Sequence, residues 1–181
     1  MPARESEAFV LRVYPFAEAD LIVSFFTRDR GKLRGVAKGV RRPKSRFGAG
    51  LERLARSRIS YFQKQTVELA RIDRAELAGE PLTMRADYAA SLALDYIAEV
   101  AEEILPEHEP HDAYFRLLAL AADRVAAELR GGPAANGPAP AWLWRTLTYF
   151  SLWSLRLSGW LPPLDVCLET GAAIGPDETA W

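Results

Sequence analysis

The chain has 181 residues, of which 49% are hydrophobic and 26% charged, a composition that predicts a soluble globular protein with a buried core. It has no run of about 18 apolar residues and does not open with a basic stretch followed by an apolar one, which argues against a transmembrane helix and a secretory signal. Its one cysteine, Cys167, excludes an internal disulfide framework, so we expect a cytoplasmic protein.

The two halves of the chain carry opposite charge, although the net charge is only −1. Residues 1–80 hold 17 Lys and Arg against 10 Asp and Glu, a net charge of +7. Residues 81–181 hold 6 against 14, a net charge of −8. This asymmetry predicts two domains with different partners, divided between residues 80 and 81. The basic half is the candidate for binding a polyanion.

The basic half predicts five short β-strands. Apolar residues indicate a first strand over residues 7–14, a second over 21–27 and a third over 32–40. A fourth lies within 51–62 and a fifth over about 66–72. Five short strands in about 70 residues predict a small closed barrel, and the OB-fold is the commonest five-stranded case. An SH3-like barrel is the alternative, and the period of the apolar residues alone does not distinguish these two folds.

The predicted third strand has two unlike faces. Lys32, Arg34 and Lys38 lie on one face, while small residues such as Gly35 and Ala37 lie on the other. Small residues facing inward suit a strand that bends sharply in a small barrel. We therefore expect the basic face of this strand to point to solvent.

The acidic half predicts three helices. Apolar residues recur every four positions between Tyr88 and Ile104, which is the period of an amphipathic helix. A second helix is predicted over 112–130 with Asp112 as its N-cap, and a third over 141–158. Between these two, residues 131–140 are rich in Gly, Pro and Ala and have no reason to be ordered. The fold class is thus α+β, with a five-stranded barrel followed by an all-helical domain.

A basic tract over residues 28–58 is the main functional signal, with 12 Lys and Arg against two acidic residues. Phosphates repeat along a nucleic-acid strand, so a groove that follows them needs cations spread along a surface. Phe47, and Tyr61 or Phe62, could stack on unpaired bases, each contributing about 1–3 kcal/mol. The alternatives are a solvated face, or a patch that docks on the acidic half of the same protein.

Other clusters predict structural roles. His108 and His111 flank Pro110 between two helices, where the helical spacing needed to aim both imidazoles at one ion is broken, so we expect loop histidines and no metal site. Four tryptophans in or just after the third helix are expected to pack in the core, with a groove for a partner peptide as the alternative; they are Trp142, Trp144, Trp153 and Trp160. No nucleophile–base pair or phosphate-binding glycine loop is present, so no enzymatic activity is expected.

Several spaced segments resemble RecO, the bacterial recombination mediator. The resemblance runs in order through residues 7–12 (EAFVLR), 18–23 (EADLIV), 27–32 (TRDRGK) and 36–48 (VAKGVRRPKSRFG), then more weakly to 159–162 (GWLP) and 165–167 (DVC). It implies an N-terminal OB-fold, a helical domain, and a role in DNA repair and recombination. It implies binding of single- and double-stranded DNA, annealing of complementary strands, and help in loading RecA.

The resemblance also implies partners and contact residues. RecR and the acidic C-terminal tail of the single-strand-binding protein are the expected partners, the tail docking on the helical domain. A bacterial cytoplasmic, nucleoid-associated location follows. Positions within the matching motif supply the candidate DNA contacts, which are Lys32, Arg34, Lys38, Arg41, Arg42, Lys44 and Arg46. An RNA-binding OB-fold module and a protein-interaction adaptor with a basic docking face are the alternatives.

The chain departs from this family at the zinc ribbon that many relatives carry. Cys167 stands at the first ligand position, but Thr170 occupies the second, and the chain has no further cysteine. A structural zinc site needs four ligands, so we expect no zinc and no other cofactor. Relatives are also longer, so we expect a truncated or naturally short chain that lacks the ribbon and the last helices of its helical domain.

Overall fold

The computed structural model describes residues 3–42, 45–63, 68–79, 88–130 and 140–175. In these residues five strands precede three helices. Their bounds are β1 Arg4–Pro15, β2 Leu21–Thr27, β3 Gly31–Ala37, β4 Arg56–Phe62, β5 Ala70–Leu77, α1 Tyr88–Ile104, α2 Asp112–Leu129 and α3 Ala141–Leu157, with a 3₁₀ turn at Gly48–Leu51. The α+β class is confirmed. The predicted domain boundary at residues 80 and 81 and the predicted linker, except Pro140, lie outside the described residues.

The strands form a closed barrel in the order β1-β2-β3-β5-β4. Neighbouring strands are antiparallel except β3 and β5, which run parallel with Gly35 opposite Ala70. This strand order is that of the OB-fold, so the OB-fold prediction is confirmed over the SH3-like alternative. Strand β3 ends three residues earlier than predicted, at Ala37, and β5 lies later in the sequence than predicted.

Gly35 shows how the chain closes the barrel. A Cβ atom at this position would lie 2.8 Å from Cγ1 of Ile72 and 3.0 Å from the carbonyl oxygen of Ala70. Only a residue without a side chain lets β3 approach β5 this closely. Gly35 therefore permits the close packing of β3 and β5 that closes the barrel, and the sharp bend of β3 stays a prediction.

The barrel contributes to two apolar cores. Inward-facing side chains, among them Val10, Phe25 and Ile59, fill the barrel. Phe9 and Phe26 point outward instead and pack against the helices in a second core. The Phe9 ring centroid lies 5.0 Å from that of Phe115 in α2. Strand β1 is therefore buried on both faces over this stretch, where its alternation predicts a half-buried strand, because the helical half covers part of the barrel.

The helices begin and end close to the predicted positions. The N-cap of α2 is His111 and not the predicted Asp112, because Nδ1 of His111 accepts a hydrogen bond of 3.3 Å from the backbone N–H of Tyr114. After α3, Gly159 adopts a φ of +75°, which glycine accommodates without strain. In the part of the chain that the structure describes, no helix is long and apolar enough to cross a membrane.

Candidate nucleic-acid interface

Strand β3 presents its basic residues outward as predicted, but Lys32 is covered. Its side chain is only 6% exposed, and Nζ donates a hydrogen bond of 2.5 Å to the carbonyl oxygen of Glu102 in α1. The carbonyl oxygen of Lys32 in turn accepts a hydrogen bond of 3.0 Å from the backbone N–H of His108. The prediction that Lys32 lies on an exposed face is wrong because the helical half covers this end of β3.

Several cations of the basic tract face carboxylates of the helical half. These pairs are Arg28–Asp112 at 2.8 Å, Arg34–Glu107 at 3.0 Å and Arg53–Asp95. Exposed ion pairs of this kind contribute about 0–1 kcal/mol each, so the apolar core and not the charges holds the halves together. Each carboxylate nevertheless cancels positive potential next to its partner. For this part of the tract, the structure therefore shows one of the alternatives from the sequence analysis, in which basic residues dock on the acidic half of the same protein.

Other cations of the tract pair with carboxylates of the barrel itself. These pairs are Arg30–Asp29 at 3.7 Å, Arg46–Asp73 at 3.3 Å, Arg56–Glu7 at 2.6 Å and Arg58–Glu5 at 3.3 Å. The candidate contact Arg46 is thus exposed, but the ion pair with Asp73 partly neutralises its charge. Among the described residues of the segment 28–58, paired carboxylates therefore interrupt the positive charge.

Three candidate contacts, Lys38, Arg41 and Arg42, remain exposed just after β3 and make no ion pair within the described residues; together they are called the basic end here. The loop between β1 and β2 holds this segment in place. The backbone N–H of Arg41 donates to the carbonyl oxygen of Ala19 at 3.3 Å, and that of Gly39 donates to Oδ1 of Asp20 at 2.8 Å. The remaining candidate, Lys44, lies outside the described residues.

A row of outward-facing residues runs round the closed barrel through all five strands. Direct register partners share one face of a sheet, and they connect Tyr14 to Ile22, Ile22 to Val36, Val36 to Arg71 and Arg71 to Phe62. The first three side chains are partly exposed, Arg71 is exposed and Phe62 is 37% exposed. These five residues are called the outer row. The sequence contains their alternation, but only the register shows that they align.

The aromatic residues predicted to stack on bases divide into two groups. Phe47 and Tyr61 are 2% and 0% exposed and belong to the barrel core, so the prediction is wrong for both. Phe62, the neighbour of Tyr61, points outward at the end of β4. In addition, Phe16 in the loop between β1 and β2 is 57% exposed, and the sequence reasoning missed it. The only sign of Phe16 in the sequence was an aromatic residue in a loop directly after a strand.

The helical half carries an apolar groove of about 670 Å³ between α1 and α3. Tyr88, Leu92 and Tyr96 line one wall, and Trp144 and Leu147 line the other. The expected core packing of the tryptophans is wrong for three of them, since Trp144, Trp153 and Trp160 are 61%, 38% and 69% exposed. Helix α3 buries other residues instead, among them Leu143 and Phe150.

The histidine and cysteine positions have local structural roles. His108 and His111 bond to the backbone as described above, and within the described ranges no group of three or more His, Cys, Asp and Glu residues could hold a metal ion. Cys167 accepts hydrogen bonds from the side chain and backbone of Thr170, which lower its pKa. The absence of a cofactor stays a prediction.

Comparison with known proteins finds two family models that together cover most of the chain. The family model described as "Recombination protein O N terminal" matches residues 1–80, and "Recombination protein O C terminal" matches residues 85–181. A "DNA repair protein RecO" from Koribacter versatilis is 42% identical over 93% of this chain and 64% of its own length. Another with the same description, from Bifidobacterium animalis subsp. lactis, is 36% identical over 95% and 67%.

A third relative so described, from Anaeromyxobacter sp. (strain K), is 32% identical over 92% of this chain and 61% of its own length. The chain thus spans between 61% and 67% of the length of these three relatives. The boundary between the two family models, at residues 80 and 85, falls between the barrel and the helices described above. The chain belongs to the RecO family of DNA repair proteins.

Proposed function

We propose that this protein is a non-catalytic mediator of DNA repair and recombination that binds single- and double-stranded DNA on its barrel and anneals complementary strands. The basic end is the observation that carries the proposal. Its three cations are exposed, have no carboxylate partner in the described residues, and are held by hydrogen bonds to the loop between β1 and β2. The "DNA repair protein" description of the relatives supports DNA as the polyanion.

The proposed chemistry is neutralisation of phosphate charge. Lys and Arg side chains that contact the backbone release the counterions condensed on it, which drives binding without reading sequence. Two strands held on one protein repel each other less, because the cations reduce the charge between them. Annealing then needs no nucleotide hydrolysis.

The proposed partners are those of a recombination mediator in the bacterial cytoplasm, on the nucleoid. RecR would act with this protein to assist loading of RecA. The C-terminal tail of the single-strand-binding protein would dock on the helical half. The apolar groove between α1 and α3 supports that docking, because peptide segments with apolar anchors bind in grooves of this kind.

Charge reversal at the basic end tests the proposal. The variant Lys38→Glu, Arg41→Glu, Arg42→Glu should lose acceleration of annealing between complementary fluorescent oligonucleotides, with no nucleotide cofactor added. A control with reversed charge at Arg56, Arg58 and Arg74 should keep most of the activity, because these cations are already paired with carboxylates. Unchanged annealing by the first variant would overturn the proposal. RNA strands of the same sequence distinguish a DNA mediator from an RNA-binding module.

A further inference from the structure

We propose that the apolar groove between α1 and α3 is a self-association surface, on which a second copy of this chain packs to form a two-fold symmetric dimer. The inference does not depend on DNA binding, because the groove lies on the helical half and the basic end lies on the barrel. A second copy and a peptide tail would compete for the groove, so only one of them can occupy it at a time.

Helix α3 gives the first indication of an interface, because it is apolar on nearly every side. Of its 17 residues only Arg145 and Arg156 are charged. One side of the helix packs in the core of the helical half, yet Trp144 and Leu152 are 61% and 46% exposed. A helix that is apolar all round is normally covered all round, so the exposed side of α3 requires a partner.

Helix α1 continues the same apolar surface. Tyr88, Leu92 and Tyr96 follow one another at intervals of four residues, so they lie on one side of the helix, at 80%, 50% and 43% exposure. Oη of Tyr96 lies 2.9 Å from Oγ of Ser151 in α3, and this hydrogen bond joins the two walls of the groove. The exposed apolar side chains are therefore contiguous, and a contiguous apolar surface of this kind marks a protein contact site.

The area of this surface is sufficient for a weak dimer. A fully buried aromatic side chain removes about 150 to 250 Å² from solvent, so at their present exposure Tyr88, Tyr96 and Trp144 offer about 400 Å² in each copy. Leu92 and Leu152 raise this to roughly 500 Å², so two copies would bury about 1,000 Å² in all. This total reaches the lower limit of about 1,000 Å² for a specific interface, so we expect micromolar affinity.

The charge of the groove favours a second copy over a charged partner. The described residues that line the groove are all uncharged, although residues 81–181 carry a net charge of −8. An acidic partner would find no cation on these walls, and a basic partner would find no carboxylate. A two-fold dimer brings the same patch of each copy together, so two uncharged surfaces meet and no like charges face each other.

Sedimentation equilibrium of the unaltered chain is the first measurement. It covers about 1 to 100 μM protein, the range in which an interface of this size dissociates. We expect the average mass to rise from that of one chain to that of two and no further, because a two-fold contact uses up the surface. A mass of one chain throughout would overturn the proposal and leave the groove to a peptide partner. Growth beyond two chains would also overturn it.

Ionic strength distinguishes this dimer from a head-to-tail pair, in which the basic half of one copy would meet the acidic half of another. Salt screens exposed charges and has little effect on apolar packing. The dissociation constant of the dimer should therefore change less than about twofold when the salt is raised from about 0.05 to about 0.5 M. A dimer that weakens by about tenfold or more over this range is held by charge and contradicts the proposal.

Substitutions then locate the interface. Trp144→Glu and Leu92→Glu each place a carboxylate in the groove of both copies and should weaken association by at least about 30-fold, the loss found for central interface residues. The matched controls Trp160→Glu and Leu120→Glu change side chains of similar exposure, 69% and 53%, that do not line the groove, and they should associate as the unaltered chain does. Circular dichroism checks that all four variants fold. Equal weakening by test and control variants, or none by Trp144→Glu, would show that the copies meet elsewhere.

Discussion

Replacing Lys38, Arg41 and Arg42 together by alanine removes the basic end and leaves the barrel core untouched. All three side chains are exposed, and none of them makes an ion pair in the residues that the structure describes. The hydrogen bonds that hold this segment to the neighbouring loop come from backbone N–H groups of Gly39 and Arg41, and alanine preserves them. The variant should therefore fold like the unaltered protein and differ in its charge alone.

The expected loss follows from counterion release. Each phosphate contact on a single strand adds about 0.7 to the slope of log affinity against log salt concentration, so three lost contacts reduce the slope by about 2. On the same relation, at about 0.1 M salt each contact contributes about 0.7 of a log unit. Single-strand affinity should then fall by about 100-fold, equivalent to about 3 kcal/mol.

The assay is fluorescence anisotropy of a labelled oligothymidylate between about 50 and 200 mM salt, the range over which the slope is well determined. The matched control replaces Arg56, Arg58 and Arg74 by alanine, which changes the net charge equally. Each of these cations already has a carboxylate partner, the pairs being Arg56–Glu7, Arg58–Glu5 and Arg74–Glu76. The control should alter affinity only a few-fold. If control and test variants lose the same affinity and slope, the total charge and not the basic end governs binding.

Three further substitutions test other parts of the structure. Glu107→Gln frees Arg34 from its ion pair, so single-strand affinity should rise and the salt slope steepen by up to about 0.7; an unchanged slope in the anisotropy titration contradicts the pairing. Burial raises the pKa of Tyr114 to about 12, so its contribution to stability is present below pH 10 and lost as the pH rises from about 10 to about 12. Tyr114→Phe should therefore remove the tyrosinate absorbance step near pH 12. Gly35→Ala should destabilise the barrel by about 1–3 kcal/mol in urea unfolding, because its Cβ would press on Ile72; a stabilised variant contradicts the close approach.

Local patterns in the sequence were enough for most of the secondary structure. The run Leu21–Thr27 is a strand with the predicted bounds, and the period of four from Tyr88 matches α1 to its last residue. Such periods report which side of an element meets apolar surroundings, because one face of each strand or helix must be buried. The inward position of Gly35 was readable for the same reason.

The candidate site was readable only in part, because burial of a charged residue depends on what packs over it. Lys32 lies in β3 and Lys38 just after it, yet α1 covers Lys32 and leaves Lys38 exposed. Tyr61 and Phe62 are neighbours in β4, and only the way the strand's two faces are oriented in the barrel decides which of the two side chains faces solvent. The sequence of residues 28–58 therefore cannot predict where the acidic helices pack against the barrel.

The sequence by itself determined the class of fold, the family, and the concentration of positive charge in the first half, because periodicity, glycine positions and charge are properties of neighbouring residues. Tertiary structure decided which cations remain exposed and which aromatic side chains face solvent. This division has a physical cause, because strand register and domain packing bring together residues as distant in sequence as Lys32 and Glu102. The resulting contacts bury or neutralise some cations and leave others exposed, and the order of residues along the chain does not show which.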